Sequence, residues 1–412
     1  RYGGQQVREA YGELVQLKKE GLLDSPDRYG EFARLLAPAP VKSMCLNIAH
    51  DCNLRCEYCF AAKGDFGQGR VLMSAEMAKA AVDFLIENSG PRHNLELDFF
   101  GGEPLMNFGV VKQTVAYARS LEERHGKRFR FTITTNGLLL DDDSIEFINR
   151  EMSNVVLSLD GRREVNDALR VTPNGRGTYD LIVPKYQKLV EKRGGRDYYV
   201  RGTFTKRNPD FTRDALHLYE LGFENISVEP VVLDESAGCA LTEADLPEIC
   251  AEYERLAREV LRLKRAGEPV TFFHFMLDLD GGPCAIKRLR GCSCGNEYVA
   301  VTPQGDIYPC HQFVGQEQWK MGSLRDKTFD YGKKRLFAGA NVYSKPECAG
   351  CWAKFFCSGG CSANNFQFCG DIAKPHRLSC ALEKKRLECA LMMQAALSDR
   401  EAAAGVRDQA SG

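Results

Sequence analysis

The chain has 412 residues, enough for two or three domains, and its 44% apolar content is that of a globular protein with a sizeable core. With 55 basic against 56 acidic residues there is no basic surplus, which disfavours nucleic-acid binding and electrostatic attachment to membranes. No apolar run reaches the roughly 18 residues that would suggest a membrane span. The chain opens Arg1-Tyr2-Gly3-Gly4, without a secretory signal or an initiator Met, which predicts a longer N-terminal part upstream. Residues 1–40 read as helical, with Val7, Tyr11, Leu14, Val15 and Leu17 at helical spacing, and Pro38 and Pro40 close the segment. Short apolar runs then recur at Met44–Ala49, Leu95–Phe100, Phe129–Thr134, Val155–Leu159, Tyr198–Thr205 and Ile226–Val232. Helical stretches near 74–88, 108–124, 142–150, 178–192 and 211–221 separate them, each connection long enough for a crossover. This alternation predicts parallel β/α units and a partial (β/α)6 barrel with its chemistry at the C-terminal strand ends. A charged amphipathic helix follows over Glu243–Ala266, then a Cys- and Gly-rich region with a β-hairpin at Tyr298–Thr302 and Ile307–Cys310. A last helix over about 376–397 precedes a polar tail, 399–412, expected to be disordered.

Seventeen cysteines, an odd number and tightly grouped, argue for metal ligation in a reducing, cytoplasmic compartment rather than for disulfides. Cys52, Cys56 and Cys59 form a C-x3-C-x2-C loop directly after the first strand. Three thiolates on one loop suit three irons of a 4Fe–4S cube and leave the fourth iron open. A structural zinc site would close four ligands, and here it would have to borrow one from a distance. The loop also sits where a barrel keeps its active site.

The motif, with Tyr58 before its last cysteine, resembles that of the radical S-adenosylmethionine (SAM) superfamily. Other strand ends resemble it in order: Gly101-Gly102-Glu103-Pro104, Thr134-Thr135-Asn136-Gly137, Ser158-Leu159-Asp160-Gly161, then Arg170. The resemblance implies that Gly101, Gly102 and Glu103 hold the SAM amino group and that Ser158 and Arg170 contact its ribose and carboxylate. Tyr58, Thr135 and Asn136 complete the expected SAM-binding set. Farther on, Cys292, Cys310, Cys348-x2-Cys351-x5-Cys357-x3-Cys361 and Cys380 resemble the SPASM domains of peptide-modifying radical SAM enzymes, which carry two auxiliary 4Fe–4S clusters. By that resemblance Cys348, Cys351, Cys357 and Cys380 hold the outer cluster, and Cys292, Cys310 and Cys361 the inner one. Cys284 and Cys294 are both candidates for its fourth ligand; with neither, a substrate thiolate takes the open iron. A pair of zinc ribbons is the alternative for this field. His311 is a packed histidine or a hydrogen-bond donor toward the inner cluster. Cys45, Cys239 and Cys250 read as ordinary buried thiols, and Cys369 and Cys389 receive no role.

The whole pattern, including Gly282-Pro283-Cys284 and Tyr308-Pro-Cys310-His-Gln-Phe313, is most similar to the maturases of six-cysteines-in-forty-five-residues (SCIFF) peptides. That resemblance implies an oxidoreductase that forms Cys-to-Thr thioether cross-links in a ribosomally made precursor. Reductive SAM cleavage would supply a 5′-deoxyadenosyl radical for it. The implied cofactors are three 4Fe–4S clusters and SAM. The implied partners are the Cys-rich precursor and an electron donor such as flavodoxin or ferredoxin, with neither nucleic acid nor membrane. The domains expected are residues 1–40, the remnant of a peptide-recognition domain; 41–240, the barrel; 241–283, a linking helix and bridging region; 284–398, the SPASM domain; and 399–412, the tail. The rival within the class is a sulfatase maturase forming formylglycine, which needs a carboxylate base such as Asp278 or Asp280. A rival outside it is a non-catalytic metal-binding scaffold. The sequence names no catalytic base.

Overall fold

Strands covered by helices on one side only should alternate, with apolar side chains under the helices and the other set facing the sheet's concave side. A computed structural model of the chain, describing residues 3–23, 26–277 and 285–409, shows this pattern. Up to Leu36 the chain forms one compact unit, made of α1 (Gly4–Lys19) and α2 (Tyr29–Arg34). The remainder, from Ala37, forms the other.

In that second unit the chain runs β1 (Ser43–His50), β2 (Val71–Leu72), α3 (Ala75–Asn88), β3 (Asn94–Gly101), α4 (Phe108–His125), β4 (Arg128–Thr135), α5 (Asp142–Glu151) and β5 (Met152–Ser158). It continues through α6 (Arg163–Leu169), α7 (Tyr179–Arg193), β6 (Tyr199–Phe204), α8 (Phe211–Glu220), β7 (Asn225–Pro230), α9 (Leu246–Arg265) and β8 (Thr271–Phe272). Strands β1, β3, β4, β5, β6, β7 and β8 lie side by side and parallel. The two ends of the sheet do not meet among the described residues, so the fold is an open, partial barrel. All six predicted strands are present.

On β3, Leu95, Leu97 and Phe99 are buried, and on β4, Phe129, Phe131 and Ile133, all within the main core beneath the helices. The alternate positions are polar. Glu96, Asp98, Arg130, Thr132, Asn154, Tyr199 and Asn225 line a cavity of about 350 Å³ on the concave side. Unlike a closed eight-stranded barrel, whose centre is filled by branched apolar side chains, this one keeps polar room inside.

Past β8 come α10 (Ala285–Arg290), β9 (Tyr298–Val301), β10 (Asp306–Tyr308), β11 (Gly322–Ser323), β12 (Thr328–Phe329) and α11 (Tyr331–Gly339). The last elements are α12 (Pro346–Ala349), α13 (Lys354–Cys357), α14 (Ser362–Cys369) and α15 (Arg377–Gln409). The predicted hairpin is β9–β10, antiparallel with Ile307 opposite Val301. Strand β9 pairs in parallel with β1, Ser43 opposite Tyr298 and Leu46 opposite Val301, and so extends the barrel sheet. Val299, Ala300 and Val301 are wholly buried there, and that burial drives the docking. Helix α15 is described to Gln409, beyond the 397 expected from the sequence.

Candidate active site

Strand β1 ends at His50, and the loop beyond it carries the first cysteine set. Several bonds shape this loop. Asp51 Oδ1 accepts from Cys52 N at 2.8 Å, and Arg55 Nη1 donates to the carbonyls of Cys52 and Leu54 at 2.6 Å each. The amides of Arg55 and Glu57 donate to the carbonyls of Val171 and Leu169, tying the loop to the segment that carries Arg170. Arg207 clasps Glu57 through both guanidinium nitrogens, at 2.7 and 2.6 Å. Gly101 and Gly102 lie against the loop so closely that side chains there are excluded: a Cβ would fall 2.3 Å from Ala49 O and 2.1 Å from Asp51 O, respectively.

Cys52, Cys56 and Cys59, all free thiols, line a cavity of about 150 Å³. Its walls also include every residue expected to contact SAM: Tyr58, Gly101, Gly102, Glu103, Thr135, Asn136, Ser158 and Arg170. Burial, with Glu103's charge next, pushes the Cys52 thiol up to about 12. Burial likewise raises Cys56 to about 11, against the pull of Arg170. Such thiols keep their protons until a metal displaces them.

The ionic groups of this cavity sit in two hydrogen-bonded clusters. Glu103 is buried; Oε1 accepts from Leu105 N at 3.0 Å and Thr135 Oγ1 at 2.8 Å, and Oε2 from Asn136 N at 2.8 Å. The Tyr58 hydroxyl donates to the Asp160 carboxylate, 2.7 Å from its nearer oxygen, and accepts from Arg170 Nη1 at 2.7 Å. Arg170 lies 3.9 Å from Asp160, which is wholly buried and also accepts from Thr203 N. Burial works against Arg170's charge, but Tyr58, Cys56 and Asp160 outweigh it and hold the guanidinium cationic. Arg170 Nε is a buried donor with no partner among the described residues. It suits a carboxylate ligand. The sequence reading quoted Asp160 only within a motif; its role as Arg170's counter-charge is set by packing.

The second cysteine field falls into two groups. Cys348, Cys351, Cys357 and Cys380 line one cavity of about 330 Å³. Cys292, Cys310 and Cys361 lie close together: Cys361 and Cys292 both raise the pKa of Cys310, and Cys292 that of Cys361. Cys294 joins them. It shares a thiol hydrogen bond with Cys292, which lowers Cys292 to about 6 and raises Cys294. The turn that makes this possible has Ser293 at φ 56° and Gly295 N donating to the carbonyls of Tyr298 and Pro309. The other candidate, Cys284, lies outside the described residues, as do Asp278 and Asp280. Among the described residues no group of three or more His, Cys, Asp or Glu side chains is gathered for a single metal ion. The cysteines are spread around cavities instead, an arrangement suited to a cube that takes one iron to each thiolate.

An aromatic wall separates the first set from the inner one. Phe60 and Phe100 line the cavity of the first cysteine set, and His311 packs on both, ring centroids 5.6 and 4.9 Å apart. His311 lies 3.3 Å from the Tyr298 hydroxyl through Nδ1. Burial lowers its pKa to about 4, so the ring is neutral at neutral pH. A further cavity of about 320 Å³ opens between the ends of β6 and β7 and the cysteine field. Arg201, Glu229, Gln312, Asn364 and Arg386 line it beside Cys361 and Cys380. Burial opposes Glu229's charge, but His274 at 3.1 Å, Arg201 at 3.8 Å and Arg386 at 3.9 Å outweigh it and hold its pKa well below the usual range. The sequence reading missed this cluster. Its signal was polar residues at alternate strand positions, Arg201 and Thr203, Ser227 and Glu229.

Residues 46–201 match the family described as the Radical SAM superfamily, and residues 292–352 match that described as an iron-sulfur cluster-binding domain, SPASM. The chain thus carries a radical SAM domain and a SPASM domain, and it is an enzyme of the radical SAM class with SAM and iron–sulfur clusters as cofactors. Among particular proteins, it is similar to a cysteine-type anaerobic sulfatase-maturating enzyme of Clostridium novyi, 24% identical over 76% of this chain and 86% of that one. Its fold is similar to that of native anSMEcpe with bound AdoMet and Cp18Cys peptide (TM-score 0.71, 19% identity, covering 88% of this chain and 99% of that one). It is also similar to Streptococcus suis SuiB bound to precursor peptide SuiA (TM-score 0.59, 18% identity, 91% of this chain and 80% of that one). Among the described residues no helix is long and apolar enough to cross a membrane.

Proposed function

We propose that this enzyme matures a Cys-rich ribosomal peptide by joining a cysteine sulfur to a threonine carbon, with three 4Fe–4S clusters and SAM. The observation that carries the reading is the cavity between the ends of β6 and β7 and the cysteine field, which borders cysteines of both auxiliary sets. A peptide seated there lies beside the auxiliary cysteines, whose clusters would take up the electron left over, with release of the thiol proton, when its sulfur bonds to the carbon radical. The similarity to SuiB and anSMEcpe, described with bound peptides, supports a peptide substrate.

In this reading Cys52, Cys56 and Cys59 hold the first cluster. Cys292, Cys294, Cys310 and Cys361 hold the inner auxiliary cluster, and Cys348, Cys351, Cys357 and Cys380 the outer. When bound, SAM and a reduced cluster supply a radical that takes one hydrogen from the acceptor carbon. Arg170 Nε receives the SAM carboxylate, Gly101 and Gly102 allow close approach of the amino group, and Ser158, Thr135 and Asn136 face the rest. Asp160 keeps Arg170 charged and Tyr58 locks it in place. The wall of Phe60, Phe100 and His311 excludes water from the reacting face.

Formylglycine formation is the second reading, favoured by the likeness to the Clostridium novyi enzyme. It needs a carboxylate placed to take the substrate proton. Among the described residues Glu103 is the acid lining the cavity of the first cysteine set, and both its oxygens are engaged by Leu105, Thr135 and Asn136.

The test is mass spectrometry of a Cys-rich precursor incubated anaerobically with enzyme, SAM and reductant. Thioether formation removes two hydrogens per bridge and blocks alkylation of the cysteine involved. A product that reacts with hydrazide, as an aldehyde does, moves the assignment to formylglycine.

A further inference from the structure

Lysine is almost never fully buried without a counter-charge, because its ammonium loses its hydration. Lys345 is only 1% exposed, and its Nζ donates to one acceptor, the carbonyl of Gly359, at 2.7 Å. No carboxylate of the described residues lies within ion-pair distance of it. Arg193, equally buried, shows what a satisfied interior cation looks like: it donates to Asp197 O, Asn149 Oδ1, Met152 O and Ser153 O. Lys345 has three N–H groups and one protein acceptor.

Its position is built. Gly359 lies between Cys357 of the outer set and Cys361 of the inner set, at φ +83°. A Cβ there would sit 3.1 Å from Lys345 Nζ and 3.2 Å from its Cδ, so the glycine makes room for the stem. Three residues on, Cys348 N donates to the Lys345 carbonyl at 2.9 Å. The lysine's charge lowers the pKa of Cys292 and Cys361 on the inner side and of Cys348 on the outer side.

We infer that Lys345 is a fixed positive charge shared by the two auxiliary cluster sites, balancing the negative charge that four thiolates bring to each and raising their reduction potentials. The inference rests on the two-cluster reading above. A reduced cluster carries one more negative charge than an oxidised one, so a cation sealed beside it in low dielectric favours reduction. Lys345 is a positioning and tuning residue; it need not touch substrate.

The test uses full-length protein in which Cys52, Cys56 and Cys59 are replaced by Ala, so that only auxiliary iron remains. Iron per chain and an EPR-monitored redox titration are compared for Lys345, Lys345→Met and Lys345→Arg. A loaded Lys345→Met should show at least about a tenfold lower reduced-to-oxidised ratio at fixed poise, roughly 59 mV for a one-electron couple, and Lys345→Arg should restore it. If Met prevents loading and Arg permits it, charge balance is needed even for assembly, as proposed. Unchanged potentials in loaded Lys345→Met overturn the inference. So does loss of iron in both variants, which would make the shape of the stem the requirement. A parent that binds only about four irons instead overturns the two-cluster reading before any variant is compared.

Discussion

Replacing Arg170 with Met tests the SAM cavity at its electrostatic centre. In the empty protein the substitution takes a 2.7 Å donor from the Tyr58 hydroxyl and the cation 3.9 Å away from the wholly buried Asp160. Breaking one side of a buried pair costs about 3–5 kcal/mol. Asp160 keeps Tyr58 and Thr203 N as donors, which places the expected loss near the bottom of that range. In the proposed reading SAM binding suffers separately, because Arg170 Nε is a buried donor without a partner among the described residues. A hydrogen bond to a charged group contributes about 1.5–3 kcal/mol. At roughly 1.4 kcal/mol per tenfold, the SAM Kd should rise about 10- to 100-fold. Arg170→Lys keeps the charge and loses the planar fork, so its Kd should fall between the two. The assay is anaerobic equilibrium dialysis against labelled SAM, on proteins matched for iron. An iron-loaded Arg170→Met that binds SAM within about twofold of the parent would refute the argument.

Other outcomes follow from the same geometry. Cys294→Ala should lower iron by up to about four atoms per chain, whereas Cys284→Ala should leave it unchanged, by iron analysis; the reverse would make Cys284 the fourth inner ligand. Burial, helped by Glu96, raises Asp98 to about 7. Its folded pKa thus lies above its unfolded value of about 3.9, so its contribution to stability is complete below that value and is lost as pH rises towards 7. Asp98→Asn should flatten this part of the stability–pH profile and add about 1 kcal/mol above it, read by denaturant titration across the window. Glu229→Gln removes the acid that gathers His274, Arg201 and Arg386. The KM for peptide should then rise about tenfold while 5′-deoxyadenosine formation without peptide is unchanged, by steady-state kinetics.

What was legible in the sequence was what lies close together along it. Cys52, Cys56 and Cys59 share one loop, and Cys348, Cys351 and Cys357 share another short stretch, so spacing groups them, while the roles expected of them come from the resemblance. The period of two in Leu95, Leu97 and Phe99 gives the strand, and Gly101-Gly102 marks its end. Pairings across long stretches of chain were hidden. The parallel docking of Tyr298–Val301 on β1 depends on a four-residue strand meeting a partner some 255 residues away. Asp160 facing Tyr58 across 102 residues is likewise a product of packing. Lys345 reads as an ordinary surface lysine until Gly359 is seen to receive it. The meeting of Cys294 with Cys292 depends on one backbone turn, Ser293 at φ 56°, which the run Cys292-Ser293-Cys294-Gly295 permits without requiring.

The central claim is that Cys52, Cys56 and Cys59 hold a cluster with an iron open to SAM. The most direct measurement is 5′-deoxyadenosine formation by anaerobically reconstituted, dithionite-reduced protein, with iron counted on the same sample. The account predicts brown protein with about twelve irons that cleaves SAM, and loss of cleavage when the three cysteines become Ala while about eight irons remain. Colourless, zinc-filled protein that forms no 5′-deoxyadenosine would contradict it.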